Sequence, residues 1–360
     1  MNPAPMRVSL IGYGFSGKTF HAPLIRAVPG LDLCLIGSSD AAKVHADLPG
    51  ITVVAEPLAA ATSPDVDLVV IATPNDSHAP LAEAALQAGK HVVVDKPFTL
   101  DLASARTLAA TALRHDRLLT VFHNRRFDSD FLTVRQALAD DVIGAVKHFE
   151  SHFDRFRPEV RDRWREGDGP GSGIWFDLGP HLLDQALLLF GLPERVAGNL
   201  AVLRQGARSD DWAHVVLDYP DTRVVLQASM LAAGGSPRFI VHGAAGSIVK
   251  QRTDVQEQQL LAGMTPGADG WGADPDPLIL HDGNGGQREI AATPGDQRLF
   301  YAHLVDALRG AAPNPVPPVQ AIAVMACLEA AAESARSHRS VTPALTDDER
   351  IAWSQAYRGV

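Results

Sequence analysis

The sequence predicts an α/β protein with an N-terminal doubly wound parallel sheet and a C-terminal α+β domain built on a large, mostly antiparallel sheet. Three observations lead there. The chain has 360 residues, 46% of them hydrophobic, more than one compact core usually holds and enough for two. Up to about His123, short β-rich runs alternate with Ala/Leu-rich helical stretches. Beyond it, strand-like runs follow one another without long helices between them. The domains are therefore drawn at 1–123 and 124–360, with the last helix expected to pack back on the first domain.

In the first domain the strands are RVSLIG, LDLCLIG, ITVVA, DLVVIAT, HVVVD and LLTVFH. Each is a brief apolar run, as in a strand covered on both faces, and segments such as HAPLAEAALQAG supply crossover helices. In the second domain a helix is expected near Asp130 to Ala139, then the alternating stretch KHFESHFDRF and a Gly-rich loop from Glu166 to Gly173. A further helix should start at Pro180, where the missing N–H of proline costs nothing in the first turn. RVAGNLAVL, AHVVLDY, TRVVLQASM and RFIVHG read as strands of one sheet. Ala262 to Pro294, rich in Gly, Asp and Pro, reads as a long surface excursion, with helices at Gln297 to Leu308 and Val319 to Ser337.

Charge and cysteine usage narrow the function. A net charge of −10 repels nucleic acid and acidic membrane surfaces, so a small molecule is the expected partner. Two distant cysteines, Cys34 and Cys327, offer neither a disulfide framework nor a zinc spacing and suit a reducing cytoplasm. No run reaches the ~18 apolar residues of a membrane span. The opening MNPAPMRVSLIGYG passes from one Arg into a short apolar run and a Gly turn, without a cleavage site. His45, His78, His115, His148 and His152 share no ligand spacing, and no metal is expected.

Gly12-Tyr13-Gly14-Phe15-Ser16-Gly17 follows a strand and opens a helix, which is G-x-G-x-x-G in its proper context. The glycines allow a tight turn and close backbone approach, and the helix N-terminus offers free N–H groups to a pyrophosphate. The same residues also spell the P-loop pattern Gly12-x-x-x-x-Gly17-Lys18-Thr19, with Asp95 available as the metal-binding acid. Gly14 and the later motifs favour the dinucleotide. At the tip of the second strand, Ser38 and Ser39 stand where an NAD enzyme usually has a carboxylate. With Lys43 close behind, they suit a ribose 2′-phosphate, so NADP is preferred to NAD. Thr73, Pro74 and Asn75 end the fourth strand at the same edge, and His78, at the start of the next helix, is grouped with them. Asp95-Lys96-Pro97 ends the fifth, where a lysine can reach a substrate hydroxyl beside the nicotinamide. On the predicted helix from Pro180, Leu182, Leu183, Ala186, Leu187 and Phe190 form an apolar face, while His181, Asp184 and Gln185 project from the other. Asp177, just before the first turn, can approach the His181 ring, a pairing suited to proton transfer near neutrality.

In these motifs the chain resembles the glucose-fructose oxidoreductase, inositol dehydrogenase and MocA family over nearly its whole length. The resemblance rests on the glycine loop, Ala72-Thr73-Pro74, Asp95-Lys96-Pro97 in place of the common Glu-Lys-Pro, and Asp177-Leu178-Gly179-Pro180-His181. Phe20-His21-x-Pro23-Leu24, His123-Asn124-Arg125-Arg126 and Trp164-Arg165-Glu166 are most similar to the branch containing NADP-dependent scyllo-inositol dehydrogenases. The resemblance implies a Rossmann domain and hydride transfer between the nicotinamide and a secondary alcohol or ketone of a polyol or sugar. It implies Lys96, Asp177 and His181 as the catalytic set, with His123, Arg157 and Trp164 on the substrate, and a homodimer or homotetramer. Arg125, Arg126, Arg155, Arg157, Arg161, Arg163 and Arg165 crowd one stretch; most are expected to be solvated or ion-paired. Two other functions stay open at this point: a P-loop ATPase or phosphotransferase, and a non-catalytic dinucleotide-binding regulator of the same fold.

Overall fold

The structure, a computed structural model, describes residues 4–357. Its first sheet joins β1 (Met6–Ile11), β2 (Leu31–Gly37), β3 (Thr52–Val54), β4 (Leu68–Ile71), β5 (His91–Val94) and β6 (Leu119–Val121). All pairings are parallel and the order is β3-β2-β1-β4-β5-β6. The crossovers are α1 (Ala22–Arg26), α2 (Ala41–Asp47), α3 (Pro57–Thr62), α4 (His78–Gln87) and α5 (Leu102–Arg114). Leu68 to Ile71 and Val92 to Val94 are wholly buried, as expected of strands with helices on both faces. Ile11 pairs with Gly37 and Ile71, and Ile71 with Val94, so the loops after β1, β2, β4 and β5 leave from one carboxyl edge.

The second sheet follows α6 (Ser129–Ala139). It consists of β7 (Val146–Asp154), then, after the helix α7 (Ile174–Phe190), β8 (Arg195–Ala201), β9 (Trp212–Asp218), β10 (Arg223–Ser229), β11 (Phe239–Gly243) and β12 (Gly246–Lys250). A short helix α8 (Gln256–Leu261) intervenes before β13 (Leu278–Asp282) and β14 (Gln287–Ile290). Eight strands run in the order β14-β13-β12-β11-β7-β10-β9-β8, and only β7 and β10 are parallel. α7 packs on β7, β9 and β10, covering Phe149, Val215, Val224 and Leu226. The chain ends through α9 (Arg298–Leu308), α10 (Pro318–Ser337) and α11 (Asp347–Ala356).

Three differences from the sequence reading are physical. α7 starts at Ile174, not Pro180: Gly173 takes φ +96° before the helix, and Asp210, distant in sequence, accepts the N–H of Trp175 at 2.8 Å. Pro180 lies inside the helix, where it leaves the Phe176 carbonyl without its helical donor. The stretch 262–294 is no plain excursion, since β13 and β14 form a hairpin within it. The chain also forms two compact units that do not follow a single cut. The first contains the residues up to Asn124 together with Gln256–Trp271 and Asp296–Ala321; the second contains Arg125–Val255, Gly272–Gly295 and the residues from Ile322 onward. α11, expected on the first domain, belongs to the second unit. The returning segment secures the edge strand of the first sheet, as Asn314 donates to the Leu119 carbonyl at 2.8 Å and Thr120 to that of Val316 at 3.1 Å.

Candidate active site

In the first unit, three glycines shape the loop after β1 for different reasons. Gly12 has φ +96°, and a Cβ there would stand 2.5 Å from the Ala72 carbonyl oxygen. A Cβ on Gly17 would stand 1.9 Å from the Gly12 oxygen, so the helix start lies directly on the strand end. A Cβ on Gly14 would meet nothing within 4 Å. That open approach to backbone, beside a helix N-terminus, fits a pyrophosphate. The first turn, Gly17–His21, is wound wide, with the Ala22 N–H reaching the Gly17 carbonyl. Phe15 is 58% exposed at the loop tip and meets Phe20 edge to face.

The P-loop alternative fails on strand order. The Lys18 ammonium, which would have to reach terminal phosphates, pairs with Asp47 of α2 at 2.7 Å. The strand order is that of a doubly wound dinucleotide fold. At the tip of β2 the side chains of Ser39 and Lys43 are exposed. The Asp40 carboxylate caps α2 through the Lys43 N–H at 2.9 Å, while Ser38 Oγ accepts the Asp40 N–H at 3.2 Å.

The ends of β4 and β5 carry the remaining predicted cofactor residues. Thr73 accepts a hydrogen bond from Ser77 at 2.6 Å, Pro74 is exposed, and Asn75 is buried in the turn. His78 is buried, with Nδ1 2.9 Å from the Pro97 carbonyl oxygen and Nε2 3.0 Å from that of Thr73. It stands between the two loops with both ring nitrogens on their carbonyl groups, and burial pulls its pKa down. Asp95 is likewise buried behind the surface. Its Oδ2 accepts from Ser16 Oγ at 2.5 Å and its Oδ1 from the Lys96 backbone N–H at 2.8 Å. Burial pushes this carboxyl up, but His21, Lys96 and Ser16 outweigh that and hold it well below the usual carboxylate range. Lys96 is half-buried and precedes Pro97 through a cis peptide bond. His123 is buried just past β6.

In the second unit, α7 carries Asp177 and His181 one turn apart. Asp177 Oδ1 lies 3.5 Å from Arg165 Nε, and the Arg165 guanidinium stacks on Trp164, itself 38% exposed, at 4.4 Å. His181 is buried, with Phe153 edge-on at 6.3 Å. The polar side of α7 is buried too. Asp184 takes both arms of Arg126, and Gln185 accepts from Arg238 at 2.6 Å. Arg238 lies against the Phe153 ring and donates to Asp130 and Ser151, which locks the packing beneath His181. A polar crevice lined by Arg163, Arg165, Asp177, Arg204 and Asp210 opens beside the start of α7. Glu166 binds Arg163 at 2.7 Å and Arg204 at 3.0 Å, fixing the loop that holds Trp164. Arg157 is half-exposed; burial and the neighbouring Arg155, Arg161 and Arg163 lower its pKa, so an incoming oxygen-rich or anionic group would relieve it. Sequence reasoning missed Asp210, Arg238 and His21 as supporting groups, because each acts on residues far away along the chain.

Comparison with known proteins covers most of the chain. Residues 6–123 match the model described as "Oxidoreductase family, NAD-binding Rossmann fold", and 135–342 match "Oxidoreductase family, C-terminal alpha/beta domain". The uncharacterized oxidoreductase YdgJ of Escherichia coli strain K12 is 55% identical over 93% of this chain and 97% of its own length. The scyllo-inositol 2-dehydrogenase (NADP(+)) IolW of Bacillus subtilis strain 168 is 34% identical over 93% of this chain and 95% of its own. The crystal structure of a Klebsiella pneumoniae protein superposes with a TM-score of 0.94 at 61% identity, over 98% of this chain and 100% of that one. Among the described residues no helix is long and apolar enough to cross a membrane.

Proposed function

From the premise that this chain belongs to the Gfo/Idh/MocA oxidoreductase family, we propose that it is an NADP-preferring dehydrogenase acting on a secondary alcohol or ketone of a cyclic, inositol-like polyol or sugar. The observation that carries this reading is the hydrogen bond from Ser16 to Asp95, which ties the dinucleotide loop to the strand end presenting Lys96. Gly12, Gly14 and Gly17 would hold the pyrophosphate; Phe15, Thr73, Pro74 and Asn75 would line the rest of the dinucleotide. Ser38, Ser39 and Lys43 would take the 2′-phosphate. The nicotinamide, when bound, supplies the hydride acceptor or donor.

The chain's own groups handle the oxygen and its proton. Lys96 donates a hydrogen bond to the reacting oxygen and stabilises negative charge developing on it. His181 takes the hydroxyl proton in the oxidative direction and returns it in the reductive one. Asp177 orients His181 and binds a neighbouring hydroxyl, while His123, Arg157 and Trp164 contact the rest of the substrate. The inositol-like class and NADP are supported by the 34% identity to IolW. Two thiols without a disulfide suit the cytoplasm. The half-exposed Trp212, Val225 and Ile240 on the side of the second sheet away from α7 suit pairing into a dimer or tetramer.

The test follows reduced-nicotinamide absorbance with NADP and NAD separately, against inositols and aldoses, with Lys96→Ala as control. Turnover with NADP that the control abolishes supports the proposal. Turnover with NAD alone, or only on acyclic substrates, overturns its finer part. Tight dinucleotide binding without turnover on any of them points to a regulator.

A further inference from the structure

Behind the Asp95 carboxylate, inside the first unit, lies a buried chain of polar groups that the proposed chemistry does not use. The Tyr301 hydroxyl on α9 is 2.6 Å from His21 Nδ1, and His21 Nε2 faces Asp95 Oδ2 at 3.5 Å. Both rings are fully buried. Phe122 lies against the His21 ring at 4.2 Å and holds its plane. Burial keeps the Tyr301 pKa well above its ordinary value, so the hydroxyl retains its one proton. In the tautomer whose Nδ1 accepts from the Tyr301 hydroxyl, the imidazole hydrogen sits on Nε2, facing the carboxylate.

We propose that Tyr301 and His21 form a positioning relay that fixes the Asp95 carboxylate, and through it sets the dinucleotide loop and Lys96 in register. The chemistry is that of a buried anion needing donors. An ionised carboxylate removed from water is costly unless its oxygens are satisfied. Asp95 has the Lys96 N–H on one oxygen and the Ser16 hydroxyl on the other, and His21 supplies the remaining favourable dipole from within the fold. Ser16 sits in the loop that would hold the pyrophosphate and Lys96 is the group that would touch the substrate oxygen. A rotation of one carboxylate therefore disturbs binding and chemistry together. His21 belongs to the Phe20-His21-x-Pro23-Leu24 string and contacts neither ligand in the proposed function, on which the relay's meaning for catalysis rests.

The test titrates NADP by quenching of intrinsic fluorescence in the full-length protein, and measures KM and kcat where turnover is found. The variants are His21→Phe, His21→Gln and Tyr301→Phe. His21→Phe keeps ring size and loses both nitrogens; it should raise the NADP dissociation constant about tenfold and lower kcat by about tenfold to a hundredfold. His21→Gln can accept from Tyr301 and donate to Asp95, and should restore most of both losses. Tyr301→Phe should give an intermediate effect. Equal losses in His21→Phe and His21→Gln, or binding in His21→Phe within twofold of the parent, overturn the relay. If His21→Phe does not fold, Tyr301→Phe decides: unchanged binding and kcat overturn the relay. Failure of the parent protein itself to bind NADP or NAD would instead remove the proposed function.

Discussion

Arg126 grips Asp184 through two parallel hydrogen bonds, Nε to Oδ2 at 2.9 Å and Nη2 to Oδ1 at 2.6 Å, with both side chains buried. Asp184 follows His181 by three residues on α7, so the pair anchors the turn that presents the proposed base. Cutting one partner removes the charge matched to the other inside the fold, which costs about 3–5 kcal/mol. Arg126→Met and Asp184→Asn should each lower the unfolding free energy read from urea titration by that much. The double replacement should lose less than the two single losses combined, which a double-mutant cycle would read.

Gly14 and Gly17 should respond oppositely to one added methyl group. Gly17→Ala drives a carbon into the Gly12 carbonyl and should lower the melting temperature. Gly14→Ala meets no protein atom, so its melting should match the parent while NADP affinity falls at least about tenfold. Unchanged affinity in the folded Gly14→Ala protein would exclude the loop as the pyrophosphate site.

Cofactor choice should turn on the tip of β2. Lys43→Ala should weaken NADP by about fivefold and leave NAD nearly unchanged, since one exposed cation on a phosphate is worth about 1 kcal/mol. Ser39→Asp should reverse the preference by placing a carboxylate against the 2′-phosphate. The ratio of kcat/KM for the two dinucleotides checks both.

Asp210 makes stability depend on pH. Burial, with Asp211 nearby, pushes its carboxyl from 3.8 up to about 6 while it caps α7 through the Trp175 N–H. A raised carboxyl stabilises the fold fully below its unfolded pKa of 3.8 and loses that contribution as pH rises through about 6. The loss is on the order of 3 kcal/mol. Asp210→Asn keeps the cap without the charge, so it should melt higher than the parent at pH 8, with the gap closing toward pH 4. A gap equal at both pH values would refute this origin.

Much of this was legible in the residues, and what was not has a common cause. The six parallel strands announce themselves because each is a local apolar run, and Gly12, Gly14 and Gly17 carry their meaning in their spacing. The start of α7 is hidden in the sequence because Pro180 satisfies a first-turn rule, while the true start depends on Asp210, which no local pattern ties to Gly173. The apolar Ile174, Trp175 and Leu178 upstream of Pro180 were the available signal. The hydrophilic Asp184 and Gln185 give the polar face of α7 a solvent-facing pattern; Arg126 and Arg238, which bury them, come from elsewhere in the chain. His78 is legible as a residue of the helix start, whereas its contacts to the Thr73 and Pro97 carbonyl groups are not, since Pro97 is distant along the chain.

The first unit is assembled from three separate stretches, and the last of them delivers Tyr301 to His21 and Asn314 to the edge of β6. The dinucleotide-binding half is consequently no interchangeable cassette. A fragment cut after Asn124 would expose the His21 ring and an unsealed sheet edge, and a chimera that borrowed only that stretch would inherit the glycines without the backing that aligns them. Transplanting this half into another scaffold means carrying all three stretches, stitched by two short bridges across the excised residues.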